Sequence, residues 1–207
     1  MLTGTPLASS QTEVTMEWED LTAPRTDPAR TLRTMTPDDI PAALALVHSI
    51  GWQHGPALWA RLLAWSPDGC FLIEEEGRGV IGTVTTTPYG TALGWIGGLA
   101  VAQDRQRQGL GRRLMRAALD YLIARQTERI MLDATDAGRP LYASLGFREA
   151  GIIERWEGRA STYLGPRARR MRPDDFEAVA QLDKVLFRIR RQHILMRLLD
   201  EFPDLAW

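Results

Sequence analysis

The segment Gln106-Arg107-Gln108-Gly109-Leu110-Gly111 constrains this chain more than any other. It follows the apolar run 93–102 and opens a stretch, 109–125, in which Leu110, Leu114, Ala118 and Leu122 recur at helical spacing. Strand, glycine loop and helix in that order place a helix N-terminus just beyond a strand end. The two glycines remove Cβ atoms where backbone N–H groups approach an anion, and the helix end adds partial positive charge. Phosphate fits such a cradle. Arg105, Arg107 and Arg112 lie at a helix start, where cations are misplaced electrostatically unless an anion binds.

The rest of the chain supplies a sheet for that unit. Residues 31–35 read as a strand, and Thr36-Pro37-Asp38-Asp39 as a helix start with Ile40, Leu44 and Val47 on one face, stopped by Gly51. Pro56 opens a second helix carrying Leu58, Leu62, Leu63 and Trp65. Strands over 70–74 and 80–87 form a hairpin, and Gly97-Gly98 marks a bulge or a close approach of ligand in the run that follows. A strand over 130–134, a short helix over 140–145 and a strand over 147–156 complete an α/β fold with a mixed sheet, in the order β-α-α-β-β-β-α-β-α-β. A dinucleotide-binding fold also sets Gly109-x-Gly111 at a helix start and Asp133 at the next strand end. Against it stand Leu114 in place of a third glycine, a first glycine lying well beyond the strand end, and the hairpin meander.

The 25 basic and 26 acidic residues nearly cancel, so charge announces no nucleic-acid partner. No apolar run approaches the roughly 18 residues that span a bilayer, and the N-terminus lacks a secretory pattern. Cys70 is the single cysteine, so no internal disulfide and no cysteine-rich zinc site is expected. These features point to a cytoplasmic protein without metal or membrane partner. Residues 1–30, rich in Thr, Ser and Pro, read as a loose leader, 31–166 as the domain, and 167–207 as a further segment.

That last segment repeats the front of the domain. Met35-Thr36-Pro37-Asp38-Asp39 matches Met171-Arg172-Pro173-Asp174-Asp175, an offset of 136, and the same offset pairs Arg61-Leu62-Leu63 with Arg197-Leu198-Leu199. It reads as the truncated start of a second copy: an opening strand and two helices. Its apolar residues Ile189, Ile194, Leu195, Leu198 and Leu199 need a cover. Either they fold back on the domain or they pair with the same segment of another chain, and a homodimer is slightly favoured.

The glycine loop after Trp95-Ile96-Gly97-Gly98-Leu99-Ala100-Val101, followed about thirty residues on by Leu141-Tyr142-Ala143-Ser144-Leu145-Gly146-Phe147, resembles the GNAT N-acetyltransferase superfamily from residue 31 to about 156. Leu-Asp-Ala-Thr-x-Ala-Gly-Arg-Pro-Leu-Tyr with a second copy is similar to a bacterial branch carrying tandem domains. The resemblance implies acetyl-CoA as cosubstrate and a primary amine of a small molecule or peptide as acceptor. It implies pyrophosphate contacts from Arg107, Gln108, Gly109, Leu110, Gly111 and Arg112, and strand-like pairing of the pantetheine arm with Leu99, Ala100 and Val101. Tyr142 would protonate the leaving thiolate. Many members have Asn and Ala at the positions of Thr135 and Gly138, so only a hydroxyl is offered to the cofactor at Thr135. Glu74, Glu75, Asp133, His48 and His54 are candidate bases by type, and Asp133, at a strand end beside the expected cleft, is the first choice. Trp52 and Trp59 either line the acceptor site or pack in the core; Cys70 is structural. A non-catalytic acetyl-CoA sensor or scaffold is the alternative.

Overall fold

The computed structural model describes residues 29–154 and 169–206. The expected leader lies outside the described residues except for its last two, and Arg30 already belongs to the first strand. The elements run β1 (Arg30–Thr34), α1 (Ile40–Ser49), α2 (Pro56–Trp65), β2 (Phe71–Glu75), β3 (Gly79–Tyr89), β4 (Leu93–Val101), α3 (Leu110–Ala124), β5 (Ile130–Leu132) and α4 (Arg139–Ala143), then α5 (Phe176–Phe187) and α6 (Gln192–Glu201). The strands make one five-stranded sheet in the order β1-β2-β3-β4-β5. The first four are antiparallel to their neighbours and β4–β5 is parallel, joined through α3. This is the mixed α/β sheet expected from the pattern, and a doubly wound parallel sheet is excluded.

Helix α3 covers one face. Leu110, Leu114, Met115, Ala118, Leu119 and Leu122 are buried, so the periodic stripe is the contact surface. Glycines in the strands let it come close: a Cβ on Gly82 would sit 2.9 Å from Leu114 Cδ1, and one on Gly94 2.8 Å from Leu122 Cδ2. Helices α1 and α2 cover the other face, with Ala43, Leu46 and Val47 buried on α1 and Trp59 and Leu63 on α2. Ile40, Leu44 and Leu62 sit at the rim of this core. Trp59 is fully enclosed, with Cη2 3.6 Å from where a Cβ on Gly98 would stand, an ordinary packing distance.

Two expectations change. The strand expected over 147–156 does not form across 147–154, and Trp156 lies outside the described residues. Arg148, Glu149 and Gly151 break the apolar alternation that buries a strand, Glu149 pairs with Arg139, and Ile152 and Ile153 are exposed. The tail forms both expected helices, α5 and α6, but residues 169–170 carry no strand.

The hydrogen bonds at the two helix starts recur at the offset of the sequence repeat. Arg33 grips Asp39 with Nη1 and Nη2 (2.7 Å each), while the Thr36 N–H donates to Asp39 Oδ2 (2.7 Å). Arg169 grips Asp175 in the same way (2.6 Å each), and the Arg172 N–H donates to Asp175 Oδ2 (2.7 Å). Beyond that start the two segments differ. Val179, Leu182 and Leu186, at the positions of Ala43, Leu46 and Ile50, are exposed on α5.

Candidate acyl-donor site

Strand β4 pairs with β5 over three positions only, Gly94↔Ile130 to Ile96↔Leu132. Beyond Ile96 no described strand pairs with its outer edge. On its inner side the register with β3 shifts between Thr83 and Thr85, where Gly98 adopts φ +58° and its carbonyl accepts the Thr83 hydroxyl (2.9 Å). This is the bulge that Gly97-Gly98 announced. Past it, the Ala102 N–H donates to Ile81 C=O (2.9 Å), so by strand alternation Leu99 and Val101 turn their N–H and C=O groups to the open edge and Ala100 turns inward to β3. An extended chain with amide groups can pair there. The Val101 carbonyl accepts from the Gln106 side-chain amide (3.2 Å), a bond such a chain would displace.

The loop then delivers α3 to the mouth of this edge. Arg107 (φ +62°) and Gly109 (φ +81°) are both left-handed, which reverses the chain and leaves Gly109 as an N-cap with no side-chain cap. The N–H groups of the first turn, from Leu110 to Arg112, are therefore free for an anion. At Arg113 the helix ladder begins, its N–H donating to Gly109 C=O (3.0 Å). Gly111 sits at the junction of three elements: a Cβ there would lie 3.3 Å from Leu141 Cδ2 on α4 and 4.0 Å from Val101 Cγ2 on β4. Arg112 Nη2 donates to Ser144 Oγ (2.8 Å), tying α3 to the end of α4.

Helix α4 meets this junction through Leu141, and Tyr142 is the next residue of that helix. Its ring meets Phe147 edge to face (6.2 Å, 69°) and lies on the backbone of Gly138, whose missing Cβ would be 2.8 Å from Tyr142 Cε2. Burial pushes the phenol above its usual range, so it is protonated at neutral pH. The start of α3, the end of β4 and α4 are thus in contact, through Gly111, Val101 and Leu141.

Other candidates stand apart. Arg105 is taken by Glu75 (Nη2 to Oε2, 2.8 Å) and Asp104 (2.9 Å) and does not serve the anion cradle. Arg105 and then Arg30 hold Glu75, and Arg33 holds Glu74, which draws both carboxyls below their usual range and makes them poor bases. Thr135 is engaged in starting α4: its Oγ1 accepts the Gly138 N–H (3.3 Å), and its carbonyl accepts those of Gly138 (2.9 Å) and Arg139 (3.0 Å). Asp133 is exposed just past β5, with no bond tying it to Tyr142. Cys70 is buried at the start of β2 and its thiol is pushed up to about 11, which fits a structural residue and not a nucleophile. His48 is exposed, its Nε2 bonded to the His54 carbonyl (2.8 Å).

His54 has more to offer than its residue type suggested. Its ring touches Trp52 (5.2 Å) and Trp59 (6.1 Å), and its enclosed Nδ1 has no partner among the described residues. Burial first, then the neighbouring His48, press its pKa below the ordinary value, so it is neutral at pH 7. Trp59 links this ring to the Gly98 bulge. The contacts with Trp52 and Trp59 and the enclosed Nδ1, which spacing does not reveal, distinguish His54 from His48.

A mixed sheet whose parallel pair opens beside a glycine loop at a helix start is the frame of the candidate site. The sequence profile of the acetyltransferase (GNAT) family matches residues 38–147, and the chain belongs to that family. Among curated proteins it is similar to the uncharacterized N-acetyltransferase YitH of Bacillus subtilis, 30% identical over 108 residues. That match covers 50% of this chain and 38% of the relative, so the chain spans well under half of that protein's length. Among solved structures, a putative acetyltransferase from Pyrococcus horikoshii aligns over 90% of this chain and 66% of its own, with TM-score 0.66 and 23% identity. N-acetylglutamate synthase from Neisseria gonorrhoeae, solved with coenzyme A and L-arginine, shares the fold over 59% of this chain and 28% of its own (TM-score 0.50, 24% identity).

Proposed function

We propose that this chain transfers an acetyl group from acetyl-CoA to a primary amine of a small molecule or peptide by direct attack in a ternary complex. The observation that carries the reading is the junction at Gly111, where the open edge of β4, the uncapped start of α3 and, through Leu141, the helix α4 that bears Tyr142 converge. The pyrophosphate takes the N–H groups of the 107–112 segment, with Arg107 and Arg112 beside it. The pantetheine amides pair with Leu99 and Val101, and Ala100 between them holds the strand to β3. This placement leaves the thioester near the Leu99 N–H, a donor for the oxygen as it gains charge. The amine nitrogen attacks the carbonyl carbon, the C–S bond breaks, and sulfur takes the proton of the Tyr142 hydroxyl.

For the proton leaving the amine we assign Asp133, an unengaged carboxylate at the end of β5. His54 is the second candidate, favoured by its neutral ring and unpartnered Nδ1. Loss of turnover in Asp133→Asn or in His54→Gln, with acetyl-CoA affinity retained, decides between them. A non-catalytic acetyl-CoA sensor is favoured by one observation alone: among the described residues no bond links Tyr142 to a base. Thiol release from acetyl-CoA over an amine panel tests the transferase reading, and binding without release supports the sensor.

Residues 169–206 fit the start of a second copy of the domain, with the same helix-start hydrogen bonds and two helices after them. No helix among the described residues is long and apolar enough to cross a membrane, and we place the protein in the cytoplasm. The tail turns α6 towards the domain and leaves the stripe Val179, Leu182, Val185 and Leu186 of α5 exposed. We assign that stripe to a homodimer contact with the same stripe of a second chain.

A further inference from the structure

Trp95 lies two residues before Gly97 on the face of the sheet that α2 covers, its Cδ1 4.0 Å from where a Cβ on Gly97 would be. Beyond α2, at the β3–β4 turn, that face is covered by the tail. Arg61 of α2 anchors it through Glu201 (Nη1 to Oε2, 2.8 Å) and lies over the Phe202 ring at 5.1 Å. The turn between α5 and α6 then arches over the hairpin and leaves a cavity of about 280 Å³, lined by Tyr89, Leu93, Trp95, Phe187, Ile189 and Arg191.

The lining decides what fits. Among the described residues Arg191 is the only cation lining it, and Nε and Nη2 are both spent on Asp183 (2.7–3.1 Å) while its Cζ lies 3.4 Å from the centre of the Phe187 ring. The positive charge is thus matched inside the protein and none is left over for a carboxylate. Three aromatic rings, Leu93 and Ile189 make the remaining wall, which suits a flat apolar group. From Trp95 to Leu99 is four strand residues, about 13 Å at full extension and about 10 Å across a bulge.

We propose that this cavity, built jointly by the hairpin and the tail, is a distal subsite for the acceptor: it takes an uncharged aromatic group carried about 10 Å from the amine that is acetylated. The placement of the amine rests on the transferase reading; the cavity's preference for an aromatic group does not. The same chemistry is offered by a long arylalkyl amine and by a peptide N-terminus with an aromatic third residue.

Calorimetric titration of the full chain saturated with CoA tests this with two probe pairs. These are 6-phenylhexylamine against hexylamine, and the amide of Ala-Ala-Phe against that of Ala-Ala-Ala. The phenyl member of at least one pair should bind about tenfold tighter or more, and the responding pair identifies the source as small molecule or peptide. Filling the cavity with Ile189→Trp should bring that ratio near one. Phe187→Ala, at a half-exposed ring whose loss the fold tolerates, should lower it too. Melting curves establish that each variant is folded. Equal affinity within both pairs, or a preference that survives in both folded variants, overturns the subsite. Tight binding of the phenyl probe with no acetylation upholds the cavity and counts against the transferase.

Discussion

Replacing Tyr142 by Phe removes one proton donor and nothing else that the fold uses. The ring stays, and with it the edge-to-face contact with Phe147 and the seat on Gly138. The hydroxyl has no hydrogen-bond partner among the described residues, so its removal strands no buried group, and stability should change by less than about 1 kcal/mol. Turnover should fall about ten- to a thousandfold as the positioned acid is replaced by solvent, with little change in acetyl-CoA affinity. The pH profile carries a second signature. Burial raises the phenol's pKa, so the acid form persists through neutral and mildly basic pH, and the wild-type rate should fall only as pH rises through that raised value. The variant should lack this basic limb. The assay is thiol release from acetyl-CoA at saturating amine from pH 6 to 11, with melting temperature as the control. Unchanged turnover in a folded variant refutes the assignment and leaves solvent as the acid.

Three further outcomes follow from the packing. Gly69 is buried against Ser66, Thr86 and Tyr121, which are hydrogen-bonded to one another, and a Cβ there overlaps all three, so Gly69→Ala should cost about 3 kcal/mol in urea denaturation; a loss below 1 kcal/mol contradicts this packing. Arg33 and Thr36 hold the Asp39 carboxyl well below the usual range, so its stabilisation is complete above the unfolded value near 4 and is lost as pH falls below it. Asp39→Asn should therefore lower stability at pH 7 by about 1–2 kcal/mol, with the gap closing in acid, and a gap independent of pH would show that charge is not the cause. Light scattering should find a dimer that Leu182→Lys with Val185→Lys converts to a monomer, whereas a monomeric wild type removes the α5 contact.

Periodicity and turn chemistry made the α3 stripe, the hairpins and the Gly98 bulge legible, because each depends on residues close in sequence. The rotation of α1 and α2 was less so. Trp59 enters the core in place of Leu58, packing against the Gly98 bulge, which lies about forty residues away in sequence. The arginines near the glycine loop looked alike in sequence, and only the sheet register, which sets Glu75 beside Arg30, shows that Arg105 is already paired. The strand expected past Phe147 rested on two isoleucines next to a charged pair, a weak signal. The cavity under the tail was not legible at all, since it is made by side chains a hundred residues apart.

The central claim is that the Gly111 junction is built for an acyl-CoA, and the most direct measurement is binding of CoA by the wild-type chain and by Gly109→Asp. Gly109 is exposed with φ +81° and no atom within 4 Å of a built Cβ, so an aspartate meets no packing neighbour; what it brings is backbone strain and a carboxylate where phosphate belongs. Calorimetry should show micromolar CoA binding to the wild type, a raised melting temperature on binding, and no detectable binding to the folded variant. Equal binding of CoA by both proteins, or stabilisation by NAD and none by CoA, would contradict the account.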